Sequence, residues 1–252
     1  MKRSALVAVA AAVLLLVSVA PCAASVVPNS AHGAKPFVIL VHGWLATSAN
    51  MTILKFRLER DGFECDSINF ARLGYSYSIA DYAVELARKI EEEHFHEANI
   101  AVVAHSMGGL VTRYYLSNLR TTNQVRTVIT LGTPHHGSMS GTILPPNTEC
   151  GREMVPDSEF LAALNNPTEA VPGVQFHCIW TPTDAAVIPA ENAIMCGAKN
   201  YQVTGFGLSH MTLLASDAVY AIVISVLNGL DQPVSGPQLV DHTNTKRLNL
   251  PW

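Results

Sequence analysis

The chain has 252 residues, 49% of them hydrophobic and 14% charged, with a formal net charge of −4. That length and apolar content suit one large buried core, and α/β folds often reach this size undivided. The acidic balance and the absence of a basic cluster argue against a nucleic-acid partner.

Taken in chain order, the first element reads as an export signal. Lys2 and Arg3 precede "ALVAVAAAVLLLVSVA", residues 5 to 20, and "CAAS" offers small residues for cleavage near Ala24. The apolar run is shorter than the roughly 20 residues a spanning helix wants. We therefore expect a signal peptide over 1–24, a secreted protein, and one domain over 25–252. Its core would cover about 36–230, with a polar tail over 231–252. "KPFVILVHG" is a β-branched apolar run ending at glycine and predicts a buried strand. "SANMTILKFRLERDG" has helical spacing and a glycine stop. "FECDSINF" predicts a second strand, and "SIADYAVELARKIEEEH" an amphipathic helix. "NIAVVAHS" and "GGLVTRYYLSNL" follow as strand and helix. "VRTVITLG", "VQFHCIWTP" and "NYQVTGF" are three further strands, and "DAVYAIVISVLNGL" a closing helix. Between them, 137–172 predicts a long excursion with one helical stretch near "SEFLAALNN".

Strands alternating with helices predict an α/β fold, a mostly parallel sheet of about six strands covered on both faces. Its site should lie at the carboxyl ends of the strands. The residues there are His42, Ser106, His135 with His136, Asp184 and His210. Ser106 stands between a strand and a helix, flanked by Ala104 and Gly108, the pattern of a nucleophile elbow with alanine in place of the first glycine. Such a turn lifts the hydroxyl clear of the backbone and sets it at a helix N-terminus, which favours negative charge. A serine needs a base and an orienting acid. In the order Ser, Asp, His, these are Asp184 and His210. Asp217 follows His210, and Asp157 and Glu191 lie away from strand ends, so they fit less well. The ring of His105 should point away from its neighbour's hydroxyl. Backbone N–H groups of Met107 and Trp44 are the candidate oxyanion donors, with His42 bracing the loop.

"GTPHHGS" raises the question of a metal. Adjacent histidines on an extended segment point to opposite sides, and no carboxylate is near in sequence, so no metal is expected. Tyr75 and Tyr77 are candidates for a pocket wall. Cleavage would leave Cys65, Cys150, Cys178 and Cys196, with no C-x-x-C pair. Export would permit a disulfide, and three pairings are open.

Together "VHGW", "AHSMGG", "LGTPHHGS", the Asp184 loop and "SHMTLL" resemble the α/β-hydrolase lipases and esterases, over about Phe37 to Leu227. They look most like small secreted bacterial triacylglycerol lipases. The resemblance implies carboxylic ester hydrolysis through an acyl-enzyme on Ser106, with no cofactor. It also implies a lipid or small ester as substrate, transient contact with lipid interfaces, and a monomer. An acyltransferase or thioesterase with the same triad is the alternative, and a non-catalytic binding module a further one. The resemblance also implies the sheet order 2-1-3-4-5-6. That order sets Cys65 and Cys178 about 19 Å apart at ~4.8 Å per strand, beyond the ~7 Å a disulfide allows. Cys150–Cys196, which would join two excursions near the strand ends, is the expected bridge.

Overall fold

Short β-branched runs build the sheet that positions the site. The computed structural model describes residues 35–230, apart from 71–72, 74–75 and 143–147. The export segment, its cleavage point, the tail and Tyr75 lie outside the described residues. The strands are β1 (Phe37–Val41), β2 (Cys65–Ser67), β3 (Ile100–His105), β4 (Val125–Leu131), β5 (Gln175–Trp180) and β6 (Lys199–Gln202). All pair in parallel in the order β2-β1-β3-β4-β5-β6, as expected. β2 is shorter than its sequence run because it is the half-buried edge strand, whereas all six residues of β3 are buried.

Alternate side chains divide the core into two layers. On one face Ile39, Val41, Val102, Ala104, Val128 and Phe176 pack with residues of α2 (Ile79–Arg88) and α3 (Met107–Tyr114). On the other, Val38, Leu40, Val103, Ile129 and Ile179 pack with α1 (Thr52–Arg60) and α6 (Asp217–Leu227). The α2 helix starts at a capping box. Ser78 Oγ accepts from Asp81 N at 3.1 Å, and the Asp81 carboxylate accepts from Ser78 N at 3.0 Å. Ile79, Tyr82, Ala83 and Leu86 then form its buried stripe.

Among its described residues the excursion holds two α-helices, α4 (Glu149–Glu153) as well as α5 (Glu159–Leu164), and a short 3-10 turn over Met139–Thr142. Five residues are too few to carry a periodic signal. The expected Cys150–Cys196 bridge is not formed, because Cys150 is not in a disulfide. The reason is local. Cys150 is buried with its N–H on Tyr77 O at 3.3 Å and its thiol on Thr148 Oγ1 at 3.9 Å. Cys196 is itself disulfide-bonded, to none of Cys65, Cys150 and Cys178, and its backbone N–H donates to the Glu169 carboxylate at 2.6 Å.

Candidate active site

One residue, Ser106, turns the chain from β3 into α3, at φ 56° and ψ −131°. A side chain in this region costs about 1–3 kcal/mol and persists only where the surroundings over-determine it. Here they do. Ser106 N donates to Leu131 O at 2.9 Å, and Ser106 O accepts from Gly109 N at 3.0 Å and Thr133 Oγ1 at 2.8 Å. Close approach does the rest. A Cβ on Gly108 would lie 2.6 Å from His42 O, and one on Gly43 would lie 2.7 Å from Ser106 Cβ. The loop after β1 and the turn after β3 therefore touch where the strand order reverses, the place ligands occupy in open α/β sheets.

Asp184 and His210 come from the loops after β5 and β6. Asp184 Oδ1 accepts from Ala186 N at 2.8 Å and Val187 N at 2.9 Å, which leaves Oδ2 for His210 Nδ1 at 2.8 Å. Their side chains are 2% and 13% exposed. Burial alone would push the Asp184 carboxyl up. The hydrogen bond and charge of His210, with the two backbone N–H groups, outweigh it and hold the pKa below its ordinary value. Gly132, at φ 57°, leaves the room. A Cβ there would lie 3.0 Å from Asp184 Oδ2 and 3.1 Å from His210 Nδ1. His210 and Ser106 share a cleft of about 460 Å³ with Trp44, Leu45, Met154 and Val187. The fold thus brings Ser106, Asp184 and His210 to one place. The competing acids lie elsewhere: Asp217 pairs with Arg57 at 2.7 Å, and Asp157 and Glu191 are exposed.

His42 does brace the loop after β1. Its Nε2 accepts from Phe70 N at 3.1 Å, so Nδ1 carries the hydrogen and donates to Gly43 O at 2.8 Å. Burial lowers its pKa and keeps it neutral. Trp44 lines the cleft beside Ser106, and Trp44 and Met107 also share a narrow crevice next to it. Met107 is the first residue of α3, so its N–H has no partner within the helix.

The sequence model of the alpha/beta hydrolase fold matches residues 36–155. The chain has the α/β-hydrolase fold. Among solved structures it is similar to the mature form of Bacillus licheniformis lipase BlEst2 (19% identity, TM-score 0.65, 77% of this chain and 92% of that one). It is also similar to Aspergillus fumigatus lipase B (20% identity, TM-score 0.67), covering 77% of this chain and 52% of that one. The chain thus spans about half the length of that fungal protein. A bromoperoxidase from Bacillus anthracis is similar too (14% identity, TM-score 0.58, 78% and 92%). Identities this low speak to fold, and a fold of this kind hosts more than one chemistry.

Within the α/β-hydrolase fold, "GTPHHG" proves to be scaffold. Thr133 holds the Ser106 carbonyl. His135 is wholly buried, with Nε2 3.2 Å from Thr130 Oγ1 and Nδ1 3.4 Å from Arg113 Nη1. Its neighbour faces away as expected, but toward a carboxylate that local sequence did not reveal: His136 Nε2 is 3.4 Å from Glu169 Oε2. Arg113 went unremarked in the sequence. Its guanidinium is fully buried in α3 and donates to Leu164 O, Asn165 Oδ1 and Glu169 O at 3.2, 2.8 and 3.0 Å, tying the excursion to the elbow helix. The signal available was a lone arginine inside an apolar helical run. Tyr77 is exposed and does not line the cleft. Among the described residues, Asp66, Glu93 and His94 have metal-ligand spacing. Lys89 Nζ already stands among them, 2.6 Å from Asp66 and 3.2 Å from Glu93.

Proposed function

We propose that the protein is a serine hydrolase of carboxylic esters, acting through an acyl-enzyme on Ser106. The observation that carries the reading is the buried His210–Asp184 hydrogen bond at 2.8 Å, opening on a cleft that also holds the strained Ser106. Asp184 fixes the tautomer with Nδ1–H and leaves Nε2 as the base. His210 Nε2 takes the Ser106 proton as Oγ attacks the ester carbonyl. The N–H groups of Met107 and Trp44 stabilise the oxyanion. His210 then protonates the departing alcohol. In the second half His210 takes a proton from water as it attacks the acyl-enzyme, then returns that proton to Ser106 Oγ as the acid leaves. The apolar wall of Leu45, Met154 and Val187 suits the acyl chain of a lipid or small ester.

Contact with lipid interfaces is part of the same proposal. Leu45 and Met211, each 49% exposed, line the cleft, and Phe206 is fully exposed on the His210 loop. We also propose export, on the strength of the basic start and apolar run within residues 1–24, and a mature protein beginning after Ala24 is its check.

The test is hydrolysis of p-nitrophenyl esters across a chain-length series by wild type and S106A. We expect S106A to lose at least about 10³-fold in kcat while melting at the wild-type temperature. Wild-type turnover by folded S106A would overturn the reading.

A further inference from the structure

His105 has no task in the mechanism above, and its position calls for one. Its ring is 2% exposed and packs on the ring of His210, with centroids 4.6 Å apart. Its Nε2 lies 3.0 Å from the His210 backbone carbonyl. A carbonyl only accepts, so Nε2 carries the hydrogen and Nδ1 is a bare lone pair. That Nδ1 is buried and has no hydrogen-bond partner among the described residues. Burial, then the neighbouring His210, push its pKa down to about 3, so the ring stays neutral.

An orphaned acceptor in a dry core is unfavourable and uncommon. A residue that only filled space there would be apolar. What the imidazole adds is one N–H aimed at the main chain of His210. The rest of that loop is secured largely to itself, with Thr212 Oγ1 accepting from Ser209 N at 2.7 Å and donating to Gly207 O at 3.0 Å. Gly205 is exposed, Gly207 is exposed at φ 73°, and Thr183 Oγ1 on Leu208 O at 2.8 Å ties it to the Asp184 loop. Asp184 fixes the ring of His210, and His105 fixes its backbone. His105 is also bonded directly to Ser106 and ends the fully buried β3. One rigid residue therefore links the strand end carrying the hydroxyl to the loop carrying the imidazole.

We propose that His105 is a positioning residue for His210, setting the separation of base and nucleophile through its Nε2–H bond to the His210 carbonyl. The proposal rests on the triad reading above. It contributes to the rate by orientation, where displacements below 1 Å matter. A neutral ring also adds no charge against the imidazolium that forms during each proton transfer.

Replacement of the ring alone tests this. H105F keeps the aromatic packing and loses the N–H. H105Q loses the ring but can place an amide N–H near the same point. With a short soluble p-nitrophenyl ester, H105F should lose roughly ten- to hundredfold in kcat, with KM within about twofold of wild type and an unchanged melting temperature. H105Q should recover most of that loss even if it melts lower. If H105F does not fold, H105N, too short to reach the carbonyl, takes its place with the same expectation. The proposal is overturned if H105F, or H105N in its stead, keeps wild-type kcat. It is equally overturned if H105Q is as slow as the variant lacking the N–H, which would leave His105 a packing residue only. S106A, assayed alongside, separates this from failure of the triad reading. An inactive S106A beside a fully active H105F would sink the positioning role and leave the triad standing.

Discussion

The ends of β3 and β4 lie side by side, paired from Ala101–Thr127 to His105–Leu131, yet they hold the site by opposite means. After β3 the requirement is room. Ser106 turns at φ 56°, and glycines at 43, 108 and 109 stand where any Cβ would meet Ser106, His42 O or Thr133. After β4 the requirement is polar connection. His135 and Asn165 lock the loop, and the buried Arg113 ties it to α3 and the excursion. A site limited by room fails abruptly when one atom is added. A hydrogen-bonded site should fail in proportion to the bonds removed.

The largest test of that difference is R113M. Methionine fills much of the arginine volume but leaves the carbonyls of Leu164 and Glu169 and Asn165 Oδ1 without their donor. Burial already pulls the guanidinium pKa down to about 10, a measure of how dry its surroundings are. Each buried acceptor left without its donor costs about 1–3 kcal/mol. We expect the urea midpoint of R113M to fall accordingly with little change in m. Wild-type stability would mean that apolar packing, and not polar connection, holds the β4 side.

G132A brings the room requirement to the β4 side. At φ 57° an alanine costs about 1–2 kcal/mol in backbone strain. Its methyl would also press on both Asp184 Oδ2 and His210 Nδ1. A shift of the pair by even part of an ångström should lower kcat about a hundredfold, a loss out of proportion to the modest drop in melting temperature. If kcat and stability fell together and only slightly, the pair would be more compliant than its crowding implies.

The parts legible in the sequence are those with short-range causes. β3 and α3 announce themselves because an apolar run, a serine and two glycines are contiguous. The α2 helix does so through its Ser78–Asp81 cap and buried stripe. The order of Ser106, Asp184 and His210 could be read from strand ends alone. What could not be read depends on chain segments meeting from afar. Arg113 is satisfied by backbone carbonyls of residues 164 and 169, and carbonyls leave no mark in a sequence. Glu169 reaches His136 only through the path of the excursion, and the same path gives Cys150 and Cys196 different neighbours. The ring of His105 stands next to Ser106 in the chain, and the sequence offers it no partner. That it meets His210 instead is a tertiary fact.

The smallest effect should come from T133V. Valine keeps the shape that packs on Gly109 and removes one hydrogen bond, from Thr133 Oγ1 to Ser106 O. The carbonyl retains Gly109 N, and Ser106 N retains Leu131 O. One bond among several is worth about 1 kcal/mol, so T133V should melt slightly lower and lose no more than a few-fold in kcat. The comparison with G132A at the adjacent position then becomes decisive, because both changes act within one turn of the same loop. If T133V were instead as slow as G132A, the Thr133 bond would be holding the strained turn, and the β3 end would depend on polar connection as much as the β4 end does.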